Sequence, residues 1–173
     1  MKEELLSSGS TRPSLEYWLP PPEGWLKINS DACSREGGSV GAVLARDDTG
    51  NIVLAKSAFF HFEDPLVAES AAFLEGIRLA VDNGLNHVLF EVDCEAVALA
   101  LKGAMEDVSW EAHSLLLDCR NLLRQITSWE IEWIPRVIKT GPHNLAIWCR
   151  NRRTSGLIQT ACLPFSICNP ELA

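Results

Sequence analysis

Asp31, Glu69 and Asp93 are the residues whose types and placement could do chemistry together. Three carboxylates brought to one point repel one another unless cations neutralise them. Oxygen donors of this kind suit hard dications, Mg²⁺ first and Mn²⁺ as a substitute. Two such ions about 3.5–4 Å apart activate a water and stabilise the leaving oxygen in phosphodiester cleavage. The competing reading is that Asp and Glu are most often simply exposed, and acidic residues at strand ends are commonplace.

What would bring them together is the order of elements. Residues 25–34 alternate like a strand, with Leu26, Ile28 and Ala32 on one face and Lys27, Asn29, Asp31 and Cys33 on the other. Strands at 39–46 and 52–60 flank the turn Asp47-Asp48-Thr49-Gly50-Asn51 and form a hairpin. Pro65 opens a helix that runs to about Asn83 and stops at Gly84. Glu69, Ala72, Phe73, Gly76 and Ala80 share one face of it, and the small residues allow close packing on a sheet. Residues 87–93 read as a buried strand ending at Asp93. Helices at 95–102 and 110–126, a strand at 128–134 and a helix at 142–153 follow. The expected fold is α/β: a mixed five-stranded sheet, order 3-2-1-4-5, with helices on both faces. In that order the strands ending at Asp31 and Asp93 are parallel neighbours, and their carboxylates emerge at one sheet edge.

The expected domain spans 25–153, between an N-terminal tail or linker at 1–24, broken by Pro20-Pro21-Pro22, and a C-terminal tail at 154–173 without a period. No run of eighteen apolar residues and no secretory leader is visible, so an intracellular protein, nuclear or cytoplasmic, with no membrane contact is expected. Six cysteines without a C-x-x-C pair read as reduced thiols and not as a zinc site. Net charge is −8, which argues against tight nonspecific binding to phosphate backbones. Residues 135–173, however, carry five basic side chains against Glu171 alone. A basic segment beside an acidic body is compatible with a metal site next to a phosphate-contacting surface, or with a solvated charged face.

Several blocks in one collinear order carry a resemblance. They are Lys27-Ile28-Asn29-Ser30-Asp31-Ala32, Gly41 to Asp47 followed by Gly50, and Ala68-Glu69 before Ala71-Ala72 and Gly76-Ile77-Arg78-Leu79-Ala80. Glu91-Val92-Asp93-Cys94 followed by Ala96-Val97, and Trp133-Ile134-Pro135-Arg136, complete the set. Together, over about 17–149, the chain resembles plant ribonuclease H-like domains of the retroelement-derived, reverse-transcriptase-associated type. The resemblance implies the ribonuclease H fold and divalent-metal-dependent endonucleolytic hydrolysis of RNA in RNA–DNA hybrids. It assigns Asp31, Glu69 and Asp93 to the three leading carboxylates that bind Mg²⁺ or Mn²⁺.

The family's last helix reads like Asn-x-x-Ala-Asp, with His for Asp in some members. Matching it to His143-Asn144-Leu145-Ala146-Ile147 puts Ile147 at the fourth acid, where it cannot hold a metal. His143 is then the expected proton-transfer residue; the bland reading is a polar residue at a helix start after Pro142. Asn29, Ser30, Arg136 and Lys139 are expected nucleic-acid contacts, and Glu91 is an outside substitute ligand. Cys33 and Cys94, which flank the expected site, read as packing residues. Trp110, Trp129, Trp133 and Trp148 read as core. The alternative to an active monomeric hydrolase is a degenerate domain that binds nucleic acid or protein without cleaving.

Overall fold

The computed structural model describes residues 17–103, 105 and 108–168. Its strands are β1 (Leu26–Arg35), β2 (Gly38–Arg46), β3 (Ile52–Phe60), β4 (His87–Val92), β5 (Ser128–Trp133) and β6 (Gly156–Leu157). Its helices are α1 (Pro65–Asp82), α2 (Glu95–Leu101), α3 (Trp110–Leu123), α4 (Thr140–Arg152) and α5 (Phe165–Cys168). The sheet order is β5-β4-β1-β2-β3-β6. The five expected strands take the expected order, and β6 adds a sixth at the β3 edge.

β1 and β2 pair antiparallel along their full lengths, while β1 pairs parallel with β4 only from Leu26↔Val88 to Asn29↔Glu91. Two residues beyond that last pair come Asp31 on one chain segment and Asp93 on the other. The two acids therefore sit where these parallel neighbours part, beside the carboxyl end of β4, the usual side for a ligand site in such sheets; β1, expected to end at Asp31, runs on to Arg35 against β2.

One face of the sheet carries α1, α2 and α3 over a core that includes Ile28, Val43, Phe73, Ile77, Phe90 and Leu116. α1 starts where Asp64 caps it, accepting from the Val67 N–H at 2.9 Å, with Pro65 just inside. Gly76 is where the helix comes closest to the sheet: a Cβ there would lie 3.3 Å from Ile28 Cγ2. That approach settles Glu69, two turns earlier, against the end of β1.

The other face is covered by α4, α5 and residues 156–167 over Val40, Ala42, Leu44, Ala55, Leu145, Ala146 and Cys149. Gly141 lets the first turn of α4 lie on β2, since a Cβ there would meet the Arg46 guanidinium at 2.7 Å. Residues 154–168 of the expected tail are thus part of the fold, and 169–173 lie outside the described residues. Ile158, Leu163 and Ile167 pack into this second core, and the Arg46 guanidinium donates to the Ile167 carbonyl. Elements of two to four residues leave no periodicity to read, which is why the segment looked structureless. Ile167→Ala is expected to cost about 2–4 kcal/mol in urea denaturation, the usual loss for a buried aliphatic chain. A loss under about 0.5 kcal/mol would return the segment to the status of a tail.

The tryptophans correct a second expectation. Trp148 packs on the second core, with Arg152 stacked on its ring at 5.0 Å. Trp110, however, is 77% exposed, and Trp129 and Trp133 on the edge strand β5 are also exposed. Their alternation marked a strand face correctly, but β5 is an edge strand that only β4 pairs on one side.

Candidate metal and nucleic-acid site

Asp31, Glu69 and Asp93 converge: one oxygen from each lies within 4.8 Å of the others. Asp31 and Glu69 are buried and Asp93 is half-buried. Glu69 reaches back to β1, where its carboxylate faces the Ala32 N–H at 3.4 Å. An all-oxygen donor set of three carboxylates fits a hard dication.

Cations of the chain itself already face these oxygens. Lys139 Nζ lies 2.7 Å from Asp93 Oδ1 and 3.5 Å from Asp31 Oδ1, and its side chain is 1% exposed. Arg136 Nε donates to Asp93 Oδ2 at 3.0 Å, and its Nη2 lies 3.9 Å from Glu69 Oε1, with 75% of the side chain exposed. His143 Nδ1 is 2.8 Å from Asp31 Oδ2. Burial raises the Asp93 carboxyl, but the Lys139 ammonium and the Arg136 guanidinium outweigh it and hold it below the ordinary range. Glu69 goes the other way. Burial pushes its carboxyl up, Lys139 opposes, Asp31 and Asp93 add to the rise, and it ends at about 8.

The α4 position that faces the carboxylates is therefore His143 and not Ile147. Ile147 lies one turn further along the helix, about 6 Å along its axis. It is half-buried and belongs to neither apolar core. Sliding the Asn-x-x-Ala-Asp frame back four residues puts its acid position at the residue that faces Asp31. His143 then takes the acid's place, as in the His-bearing members, Pro142 takes the alanine's, and Lys139 takes the asparagine's. The frame at 143–147 rested on Ala146, which repeats the alanine's place one turn later.

Three of the four expected nucleic-acid contacts are enclosed. Asn29 and Ser30 are buried, and Lys139 is held inside the carboxylate cluster, so in this arrangement none of the three presents a donor at the surface. Arg136 alone of the four is exposed at the rim. Asn29 instead donates to Glu91, which also takes the Lys27 ammonium at 2.7 Å and the Trp18 indole N–H at 3.0 Å. Glu91 is thus neutralised beneath Trp18 and is no substitute ligand. Cys33 packs on the second core and receives Arg150 Nη1 at 3.0 Å, and Cys94 packs on the first. Sequence reasoning expected Lys139 to contact nucleic acid and did not place it among the carboxylates. The one signal was a lysine immediately before the last helix, which reads equally well as a solvated charge.

Solved structures share this architecture. The chain superposes on ribonuclease H1 from the halophilic archaeon Halobacterium salinarum NRC-1 with a TM-score of 0.69 at 20% identity, over 74% of this chain and 98% of that one. The N-terminal ribonuclease H domain of rv2228c from Mycobacterium tuberculosis, solved as a fusion with maltose binding protein, gives 0.67 at 20% identity, over 74% and 94%. LC11-RNase H1 in complex with an RNA/DNA hybrid gives 0.66 at 15% identity, over 74% and 98%. No curated protein matches the sequence. None of the described helices is long and apolar enough to cross a membrane. The model of the reverse transcriptase-like family matches residues 29–149; with that match over most of the chain, and with the ribonuclease H-like fold beneath it, the protein belongs to this family.

Proposed function

We propose that this domain is a divalent-metal-dependent endonuclease that hydrolyses the RNA strand of RNA–DNA hybrids. The observation that carries the reading is the convergence of Asp31, Glu69 and Asp93 just past the point where β1 and β4 stop pairing. Asp31, Glu69 and Asp93 would hold Mg²⁺ or Mn²⁺, which when bound supplies an activated water and charge stabilisation at the leaving oxygen. The residues of the chain do the rest. Arg136, exposed and tethered by Asp93, offers its free guanidinium N–H groups to a phosphate at the rim. Asp31 accepts from His143 Nδ1 and so fixes the ring's tautomer, leaving Nε2 on the 48% exposed side chain to carry a proton to or from solvent. LC11-RNase H1 was solved with the hybrid this reading calls for. We take the protein to act as a monomer in a reducing compartment, in keeping with six free thiols, and its plant retroelement origin rests on the sequence resemblance.

With His143 at the fourth position, the fourth-ligand test moves to that residue. His143→Asp is expected to tighten Mn²⁺ binding about tenfold, because an anionic oxygen replaces a neutral nitrogen beside a hard ion. Ile147→Asp should leave Mn²⁺ affinity within about twofold, and because Ile147 lies outside both cores it should cost under about 1 kcal/mol. Calorimetric titration of both variants checks this. A gain for Ile147→Asp with none for His143→Asp would restore the original frame. Cleavage of a hybrid labelled on its RNA strand, with Mn²⁺ or with chelator, tests the function itself.

A further inference from the structure

We propose that Lys139 is a built-in counter-ion of the carboxylate site, which a divalent cation must displace in order to load. The proposal rests on reading the cluster as a metal site, and it adds a control on that site. Each Asp oxygen is already occupied by a group of the chain. Asp93 gives Oδ1 to Lys139 and Oδ2 to Arg136; Asp31 gives Oδ1 to Lys139 and Oδ2 to His143. Among these partners Lys139 alone is fully enclosed and faces both aspartates at once.

Its place is set by the backbone. A single 3₁₀ turn, Arg136–Ile138, is closed by the Lys139 N–H donating to the Arg136 carbonyl at 3.1 Å, and α4 begins at the next residue. A buried ammonium so held needs its carboxylates, and removing either side leaves an uncompensated charge. A dication placed among the same oxygens meets that ammonium at close range, and two like charges there repel strongly. The four-carbon stem of lysine lets the ammonium leave without moving the backbone. Arg136, by contrast, lies at the surface and can stay beside Asp93. The shifted frame puts Lys139 where the family pattern has asparagine, a neutral side chain that would offer no such competition. Loading therefore requires Lys139 to exchange the aspartates for another anion, and the phosphate backbone of a bound nucleic acid is the anion the site would meet. Metal affinity should consequently rise when a hybrid is bound, and hybrid affinity should rise with metal by the same factor.

The test is Mn²⁺ binding followed by electron paramagnetic resonance on the wild type, Lys139→Asn and Lys139→Met. Both variants are expected to bind Mn²⁺ at least about tenfold more tightly than the wild type, the scale of removing one competing unit charge. Adding Asp31→Asn to Lys139→Asn should abolish that binding, which places the ion at the cluster. Equal affinities in wild type and variants, lost on Asp31→Asn, would overturn the counter-ion role and leave the metal site standing. No binding by any of the three proteins would overturn both. A measurement on the wild type covers the case in which the variants fail to fold. The buried Lys139 ammonium should give a slowly exchanging ¹⁵N signal, and Mg²⁺ titration should move it into the fast-exchanging class of exposed lysines. A signal that stays put at full Mg²⁺ occupancy would overturn the proposal.

Discussion

Asp31→Asn is expected to lower Mn²⁺-dependent cleavage of a hybrid by about 10²–10³-fold, the cost of removing one electrostatic contact aimed at the reacting centre. The geometry explains why this residue should show the larger effect. Asp31 is buried on a central strand between β2 and β4, so its carboxylate has no room to be replaced by a neighbour's. It faces both Lys139 and His143, and one substitution therefore loosens two groups at once. Asparagine keeps the shape and removes the charge, so the fold should survive. Lys139 retains Asp93 at 2.7 Å, which limits the stability loss to about 1–2 kcal/mol. Single-turnover cleavage alongside circular dichroism checks the prediction. A folded variant cleaving within threefold of wild type would remove Asp31 from the metal site.

Glu69→Gln is expected to stabilise the metal-free protein at pH 8 and to leave it unchanged at pH 4. The Glu69 carboxyl lies at about 8 in the fold, against 4.5 for the ordinary group. Between those values the folded state holds a proton that the unfolded chain has lost. Stability from this group is therefore complete below about pH 4.5, falls as pH rises, and is lost above about 8. Glutamine imitates the protonated carboxyl at every pH and removes the slope. The gain at pH 8 should reach a few kcal/mol at most, which is up to about 10 °C in melting temperature for a domain of this size. Saturating Mn²⁺ should reverse the ranking, since an ion bound only by the native state stabilises the wild type by mass action and the glutamine variant much less. Thermal melts at pH 4 and pH 8, with and without Mn²⁺, measure both effects. A wild-type melting temperature that rises from pH 5 to pH 8 without metal, with Glu69→Gln following the same course, would contradict the buried, proton-holding Glu69.

The sheet order and the three acids were legible because each depends on local pattern. Period-2 alternation around Asp31, a Pro-started helix carrying Glu69 and an apolar run ending at Asp93 put the carboxylates at one edge once the crossover is right-handed. The last helix was legible as a helix but not in register, because Ala146 fits the alanine of the pattern in one frame, His143 fits the acid's place in the other, and only the Asp31–His143 contact chooses between them. Lys139 was illegible for a different reason. Whether a lysine is solvated or buried depends on what stands opposite it, and Asp31 and Asp93 stand 108 and 46 residues away. The same holds for Asn29, whose strand face was read correctly as polar but which turns out to be covered, with Trp18 donating to the same Glu91 carboxylate. The 154–168 segment escaped because isolated apolar residues such as Ile158 and Ile167 declare themselves only against a partner surface.

The most direct test of the central claim is cleavage by the wild-type protein of a hybrid labelled on the RNA strand. RNA duplex and DNA duplex serve as controls, Mn²⁺ is raised to millimolar levels, and a variant carrying Asp31→Asn, Glu69→Gln and Asp93→Asn together is run in parallel. The account predicts that the RNA strand of the hybrid is cut, that chelator stops the reaction, and that the triple variant, though folded, yields no product. An unchanged rate in the triple variant, or intact hybrid at every Mn²⁺ concentration with both wild type and Lys139→Asn, would contradict it.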